Sequence, residues 1–312
     1  MTDLLTLGET MVSVRTARPM RLGGEAQLSI AGSETNVAIG LSRLGHQATW
    51  VGAVGNDEPG RLIQRTLRAE GVDTNYLRFS DDSFTGFIAF DQPSHDITRV
   101  SYHRRGSAGS TLTPDESIAA IEATQPRLLH VTGITPALSD TTRAATLAAV
   151  RTASAAGVQV SLDVNYRARL WSRPDAATAI RELLPYVHTV FASDDELDLL
   201  TDAPDAVSDL LAHTTVDHVI VTAGGKGAWA HSSDGTIHRP ALPVTVVDSI
   251  GAGDAFVSGY LSATLDNLSP EARLDRATTS GAFCVTALGD WESLPTRDDL
   301  HLLSHTHGTA LR

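Results

Sequence analysis

Asp248-Ser-Ile-Gly251-Ala252-Gly253-Asp254-Ala-Phe-Val-Ser-Gly-Tyr-Leu261 places two glycines and an acid directly ahead of an apolar helical run. A helix start stripped of side chains is an anion site, because several N–H groups converge there and the helix dipole favours negative charge. Asp254 then stands beside the bound anion, which repels it. A carboxylate kept in that position has a use if it takes the proton from a hydroxyl that attacks phosphorus. The stretch reads as phosphoryl transfer to an alcohol. It also reads as an ordinary turn with Asp as a helix cap. The surrounding fold has to decide between the two.

Strand-like runs at 4–8, 49–54, 128–132, 159–163, 189–192 and 218–222 alternate with helical patterns. Glu58–Glu70 carries Leu62, Ile63 and Leu67 on one face, and Thr141–Ala156 is a second such helix. This alternation predicts an α/β fold, a doubly wound and mostly parallel sheet with helices on both faces and ligands at the carboxyl ends of its strands. Two stretches break the pattern. Segments of about 9–31 and 84–106 alternate without an intervening helix, as antiparallel strands do, and predict a small β-sheet. Over the strand ends it would act as a lid that excludes water; at the sheet edge it would be a pair of structural hairpins. No repeat or long linker divides residues 1–312, so a single domain with a lid is expected.

The 312 residues are 42% apolar and carry a net charge of −13, which supports a large core and argues against a nucleic-acid surface. The single Cys284 allows no intramolecular disulfide and reads as a buried core thiol. No apolar run reaches membrane-spanning length and the first residues lack a signal-peptide pattern, so a cytoplasmic location is the expectation. His301, His305 and His307 are spaced to share an ion, but in a short polar tail they read as surface residues.

Further glycine turns flank the helical runs. Gly32-Ser-Glu-Thr-Asn36 precedes a helix expected over Asn36–Leu44, where Asn36 either caps the helix or offers its amide to a polyol hydroxyl. Thr222-Ala-Gly224-Gly225-Lys226-Gly227 ends a strand in a loop suited to nucleotide phosphates, with the chain's only lysine. It is not a P-loop, since Gly227 follows the lysine where Ser or Thr would stand.

Together with Gly52-Ala-Val-Gly55-Asn-Asp57-Glu-Pro-Gly60, these motifs resemble, in order and separation, those of the ribokinase-like (PfkB) family of sugar kinases over essentially the whole chain. The resemblance implies ATP as donor with Mg²⁺, Asp254 as catalytic base, Gly251, Ala252 and Gly253 as the anion hole, and a ribokinase-like fold whose β lid carries part of the sugar site. Gly32 and Asn36 then belong to the acceptor site, and Ser193, Thr222, Gly224, Gly225, Lys226 and Gly227 to the nucleotide site. Monovalent-cation dependence, such as on K⁺, is known among relatives and stays open. The family's Asn-x-x-Glu motif stands here as Ser193-Asp-Asp-Glu196. Glu196 keeps a water-mediated role toward the metal, and the resemblance does not extend to direct ligation by this segment.

Two arginines bear on the acceptor. Tyr102-His-Arg104 and Asn165-Tyr-Arg167 resemble the corresponding stretches of family members that phosphorylate 2-keto-3-deoxygluconate on its terminal hydroxyl, which implies that Tyr102, Arg104, Asn165 and Arg167 hold a sugar acid. A guanidinium matches a carboxylate through two charge-assisted bonds, whereas a neutral sugar offers only hydroxyls. Arg105 and Arg169 are assigned to the solvated surface. Ile88 stands where those kinases often have a substrate-contacting tyrosine, which leaves the gluconate- and galactonate-derived epimers both open. A fructokinase or ribokinase type acting on neutral sugars is the alternative, and a non-catalytic sugar or nucleotide sensor is the alternative of another class. No membrane or nucleic-acid partner is expected, and exposed lid strands leave a homo-oligomer open.

Overall fold

The computed structural model describes residues 2–94 and 97–304. Its strands, in chain order, are β1 (Leu4–Leu7), β2 (Met11–Arg15), β3 (Gln27–Ala31), β4 (Ala48–Gly55), β5 (Asp73–Ser80), β6 (Phe87–Ser94) and β7 (Ile97–His103). There follow β8 (Leu128–Thr132), β9 (Gln159–Asp163), β10 (Thr189–Ser193), β11 (His218–Thr222), β12 (Ala228–Ser232) and β13 (Gly235–Arg239). The helices are α1 (Ser33–Arg43), α2 (Glu58–Ala69), α3 (Pro114–Thr124), α4 (Asp140–Ala155), α5 (Arg173–Leu183), α6 (Ala206–His213), α7 (Ala252–Leu265) and α8 (Pro270–Cys284).

Nine strands form one sheet in the order β13-β12-β11-β10-β9-β8-β1-β4-β5, parallel from β11 through to β5 and antiparallel only at β12 and β13. Its central strands are buried on both faces, as the unbroken burial of β1, β4 and β8 shows. Helices α3 to α6 pack one face around Leu129, Val160, Ile180 and Val219. Helices α1, α2, α7 and α8 pack the other around Trp50, Phe191, Tyr260 and Leu274. The chain order reverses between β1 and β8, and a crevice opens there at the carboxyl ends of the strands.

Local chemistry sets the helix starts. Ser139 caps α4 through the Thr142 N–H, and Thr113 and Glu116 close a reciprocal capping box on α3. The expected helix over Asn36–Leu44 begins three residues earlier, at Ser33. Gly32 is its extended N-cap and makes no side-chain cap bond, so Asn36 lies inside the first turn and does not cap it.

Segments 9–31 and 84–106 form the expected small sheet, in the order β3-β2-β6-β7. One feature of it differs from the antiparallel expectation. β2 and β6 run parallel, because β2 and β6 each leave the large sheet in the same direction and meet side by side; β2–β3 and β6–β7 are antiparallel hairpin-like pairs. Cys284 is fully buried at the end of α8, and burial pushes its thiol up to about 12, as a core thiol requires.

Among the described residues no helix is long and apolar enough to cross a membrane. Among them too, no three His, Cys, Asp or Glu side chains are grouped to hold a metal ion. His305 and His307 lie outside the described residues.

Candidate active site

A cleft of about 1160 Å³ lies between the strand ends of the large sheet and the small sheet. Its floor is the start of α7. Gly251 is the left-handed N-cap (φ 79°), and Ala252, Gly253 and Asp254 form the first helical turn. Glycine is required there: the left-handed φ disfavours any side chain, and a Cβ would run into the Asp290 carbonyl. The Ala252 N–H makes one long bond, 3.4 Å to the Ser249 carbonyl, while among the described residues those of Gly253 and Asp254 have no partner. Two unspent amides at a helix mouth are what an oxyanion needs.

Asp254 is buried and held at both oxygens. Ser33 Oγ donates to Oδ1 at 2.6 Å and Asn36 Nδ2 to Oδ2 at 2.8 Å. Burial raises its pKa, opposed by these two hydrogen bonds and by the charge of Arg167. A carboxylate with a raised pKa is a better proton acceptor near neutral pH than an ordinary one. Asn165, in the left-handed region (φ 41°), donates to Ser33 Oγ at 2.9 Å and to Asp163 Oδ2 at 3.1 Å. Ser33, Asn36, Asp163, Asn165 and Asp254 therefore form one polar chain across 222 positions of sequence. Ser33 and Asp163 are additions to the residues the sequence singled out. Asp163 is raised well above an ordinary carboxylate by burial and by the charges of Glu196 and Asp254.

Around this chain the structure gathers Gly32, Tyr102, Arg104, Arg167, Ser193, Glu196 and Thr222 on the cleft wall. Arg167 is exposed and, among the described residues, its guanidinium makes no hydrogen bond or ion pair; its charge acts on Asp163 and Asp254. Arg104 is already paired: its Nε and Nη2 lie 2.6 and 2.5 Å from Glu9 Oε2. Ile88 is buried opposite Tyr102 in the β6–β7 register, so an apolar wall stands at that position. Glu196 Oε1 and Oε2 accept the N–H groups of Tyr166 and Ser193 at 2.6 and 2.8 Å. Both oxygens brace backbone, an arrangement that suits contact with a metal through water.

Three placements differ from the sequence reading. Gly224, Gly225 and Lys226 form an exposed turn between β11 and β12, and with Gly227 they sit outside the cleft wall, beyond Thr222. Ala252 is likewise not on the wall that Gly251 and Gly253 line. Arg105 and Arg169 are exposed as expected yet border the cleft, and Arg169 Nη1 donates to the Val100 carbonyl of β7 at 2.8 Å, tying the large sheet's loop to the small one.

A mostly parallel sheet with two free amides at a helix start and a buried carboxylate at its strand ends fits a phosphoryl-transfer enzyme. Residues 1–297 match the pfkB family of carbohydrate kinases, and the chain belongs to that family. It is an ATP-dependent sugar kinase of ribokinase-like fold. It is 35% identical over 295 residues to a 2-dehydro-3-deoxygalactonokinase of Haloferax volcanii, covering 92% of each chain. It is also 35% identical over 318 residues to a 2-dehydro-3-deoxygluconokinase of Bacillus subtilis, covering 96% of this chain and 94% of that one. A fructokinase of Klebsiella pneumoniae is 36% identical over 280 residues, covering 86% and 90%. Among solved structures, a PfkB protein from Polaromonas sp. JS666 superimposes with a TM-score of 0.86 at 32% identity, over 96% of this chain and 99% of that one.

Proposed function

We propose that this kinase transfers the γ-phosphoryl group of ATP, with Mg²⁺, to the terminal hydroxyl of a 2-keto-3-deoxy sugar acid of the gluconate or galactonate type. The observation that carries the reading is Arg167, an unpaired guanidinium on the cleft wall within electrostatic reach of Asp254. A carboxylate at one end of a short chain would pair with Arg167 and leave the far hydroxyl toward Asp254. Relatives named for keto-deoxy sugar acids support the same class.

In this reading Asp254 accepts the hydroxyl proton while the Gly253 and Asp254 amides receive charge on the transferred group. Ser33 and Asn36 hold the carboxylate in line. Gly32, Tyr102 and Asn165 complete the acceptor wall, and Ser193 and Thr222 border the nucleotide side. Glu196 would hold Mg²⁺ through water, and the metal would supply neutralisation of the phosphate oxygens. The small sheet is the lid.

A neutral-sugar kinase is the second reading, and one observation favours it: Glu9 already neutralises Arg104. ADP release should be measured with ATP and Mg²⁺ against 2-keto-3-deoxygluconate, its galactonate epimer, fructose and ribose, for the wild type and for Arg167→Ala. The proposal expects preference for the acids, lost in the variant. Turnover of neutral sugars alone, unchanged in Arg167→Ala, selects the second reading, and no turnover of any acceptor returns the sensor.

A further inference from the structure

Arg15 ends β2 of the small sheet, and its guanidinium lies over the Phe90 ring at 4.4 Å. It does not line the cleft. Instead it reaches behind the cleft to the segments that flank the start of α7. Nη1 donates to Asp248 Oδ2 at 2.9 Å, and Nη2 stands 3.7 Å from Asp290 Oδ1. All three side chains are nearly buried, at 14%, 10% and 9% exposure.

Both partners shape Gly251. The other Asp248 oxygen, Oδ1, accepts the Ile250 N–H at 3.1 Å, which folds the backbone leading into the helix. Asp290 puts its main-chain carbonyl against the Gly251 Cα, on the side where any Cβ would clash. One cation from the small sheet thus hydrogen-bonds Asp248 and stands within ion-pair distance of Asp290, whose main chains lie on either side of the left-handed residue that aims the first amides of α7. Without it, Asp248 would lose its partner in a nearly buried space, and Asp290 the neighbouring cation that draws its side chain towards the same point.

We infer that Arg15 is a positioning residue for phosphoryl transfer, clamping Asp248 and Asp290 so that the amides at the start of α7 point at the transferred group. The inference rests on the reading of that helix start as the phosphate site. Arg15 touches neither substrate, so its effect falls on turnover.

The test is steady-state kinetics of Arg15→Gln, Arg15→Lys and Asp248→Asn, with Asp254→Asn as reference. Arg15→Gln should lower kcat about 10- to 100-fold, the loss expected of a misplacement of order one ångström, with KM for sugar and ATP within about twofold. Arg15→Lys, which keeps a charge but cannot span both acids, should recover part of the loss. Asp248→Asn should show the same kcat-only loss, and combining it with Arg15→Gln should add little, because both act through one contact. If Arg15→Gln does not fold, the lysine variant and Asp248→Asn carry the same test. A lower thermal midpoint with unchanged kcat, or KM values that rise in step with the loss of kcat, overturns the inference. Should Asp254→Asn keep near-normal turnover, the phosphate-site reading fails; should it abolish turnover while the Arg15 variants do not affect kcat, the positioning inference alone fails.

Discussion

The Arg104 guanidinium closes on the Glu9 carboxylate, Nε and Nη2 both on Oε2, inside a cleft wall where Glu9 is 3% exposed and the Arg104 side chain 10%. Ser107 donates its hydroxyl to the other Glu9 oxygen, so the acid is fully used. Gly86 and Gly109 leave the room it occupies. Removing one partner of a buried pair strands the other charge, which typically costs about 3–5 kcal/mol. Arg104→Gln should therefore lower the thermal midpoint markedly. Arg167→Ala, at an exposed and unpaired residue, should stay within about 0.5 kcal/mol of the wild type. A double variant, Glu9→Gln with Arg104→Gln, should recover part of the loss because no charge is left unpaired. Thermal unfolding of the four proteins decides, and equal midpoints for Arg104→Gln and the wild type would show that the pair contributes nothing.

Asp254 gives the second expectation. Replacing it with Asn keeps the shape and removes the acceptor for the hydroxyl proton. Loss of a general base typically costs about 10²- to 10⁴-fold in rate, and kcat should fall in that range with KM for ATP nearly unchanged. The wild-type rate should also have an acid limb. A base works when ionised, and Asp254 has a pKa raised above the ordinary 3.8, chiefly by burial. Activity should therefore fall as pH drops through a value above that of a free carboxylate. The limb belongs to the coupled set that includes Asp163, so it is read as one macroscopic titration. A rate independent of pH down to the ordinary carboxylate range would remove the base from the mechanism.

Several parts of this molecule are legible in the sequence because they depend on local chemistry. The runs at 128–132, 159–163 and 218–222 are β8, β9 and β11 residue for residue, since each carries buried valine, leucine or isoleucine in a short run bounded by turn signals. The glycines of the 251–253 segment are legible for the same reason. What was not legible depends on distance in space. Ser33 reads as one more turn residue until the fold brings its hydroxyl to Asp254, 221 positions away. Nothing near Arg104 announces Glu9, 95 positions earlier. The start of α1 escaped because Gly32 caps it through backbone alone, while an Asn four residues later carries the familiar capping chemistry. Asp163 ends a strand in the sequence and gains meaning only when Glu196 and Asp254 face it.

Asp290 predicts a pH dependence of stability. Burial, with the charges of Asp254 and Glu292, pushes its carboxyl up to about 7 against the opposing charge of Arg15, and Asp248 adds to the rise. Between 3.8 and about 7 the folded protein holds a proton there that the unfolded chain has released. This contribution to stability is complete below 3.8 and is lost as pH rises through about 7. Asp290→Asn carries no such proton. Thermal midpoints of the two proteins at about pH 5 and pH 8 should diverge, the wild type losing more on going to the higher pH, over the interval in which a buried carboxyl ionises. Parallel changes in both would exclude Asp290 as the titrating group.

The two glycines of the helix start should separate fold from chemistry. At Gly251 a methyl group meets the Asp290 carbonyl oxygen and the left-handed φ of 79° adds strain, which for a residue with a Cβ is roughly 1–2 kcal/mol before any clash. Gly251→Ala should therefore lose both stability and turnover. Gly253 has no atom within 4 Å of a built Cβ and no left-handed φ, so Gly253→Ala should unfold at the wild-type midpoint. Its methyl group, however, projects into the open space at the helix mouth, where the phosphoryl group is proposed to sit, and kcat should fall at unchanged stability. The paired measurement is a thermal midpoint and a kcat for each variant. Wild-type turnover in Gly253→Ala would move the phosphate away from this helix start, whereas a lowered midpoint in that variant would mean that Gly253 has a packing role the backbone geometry does not account for.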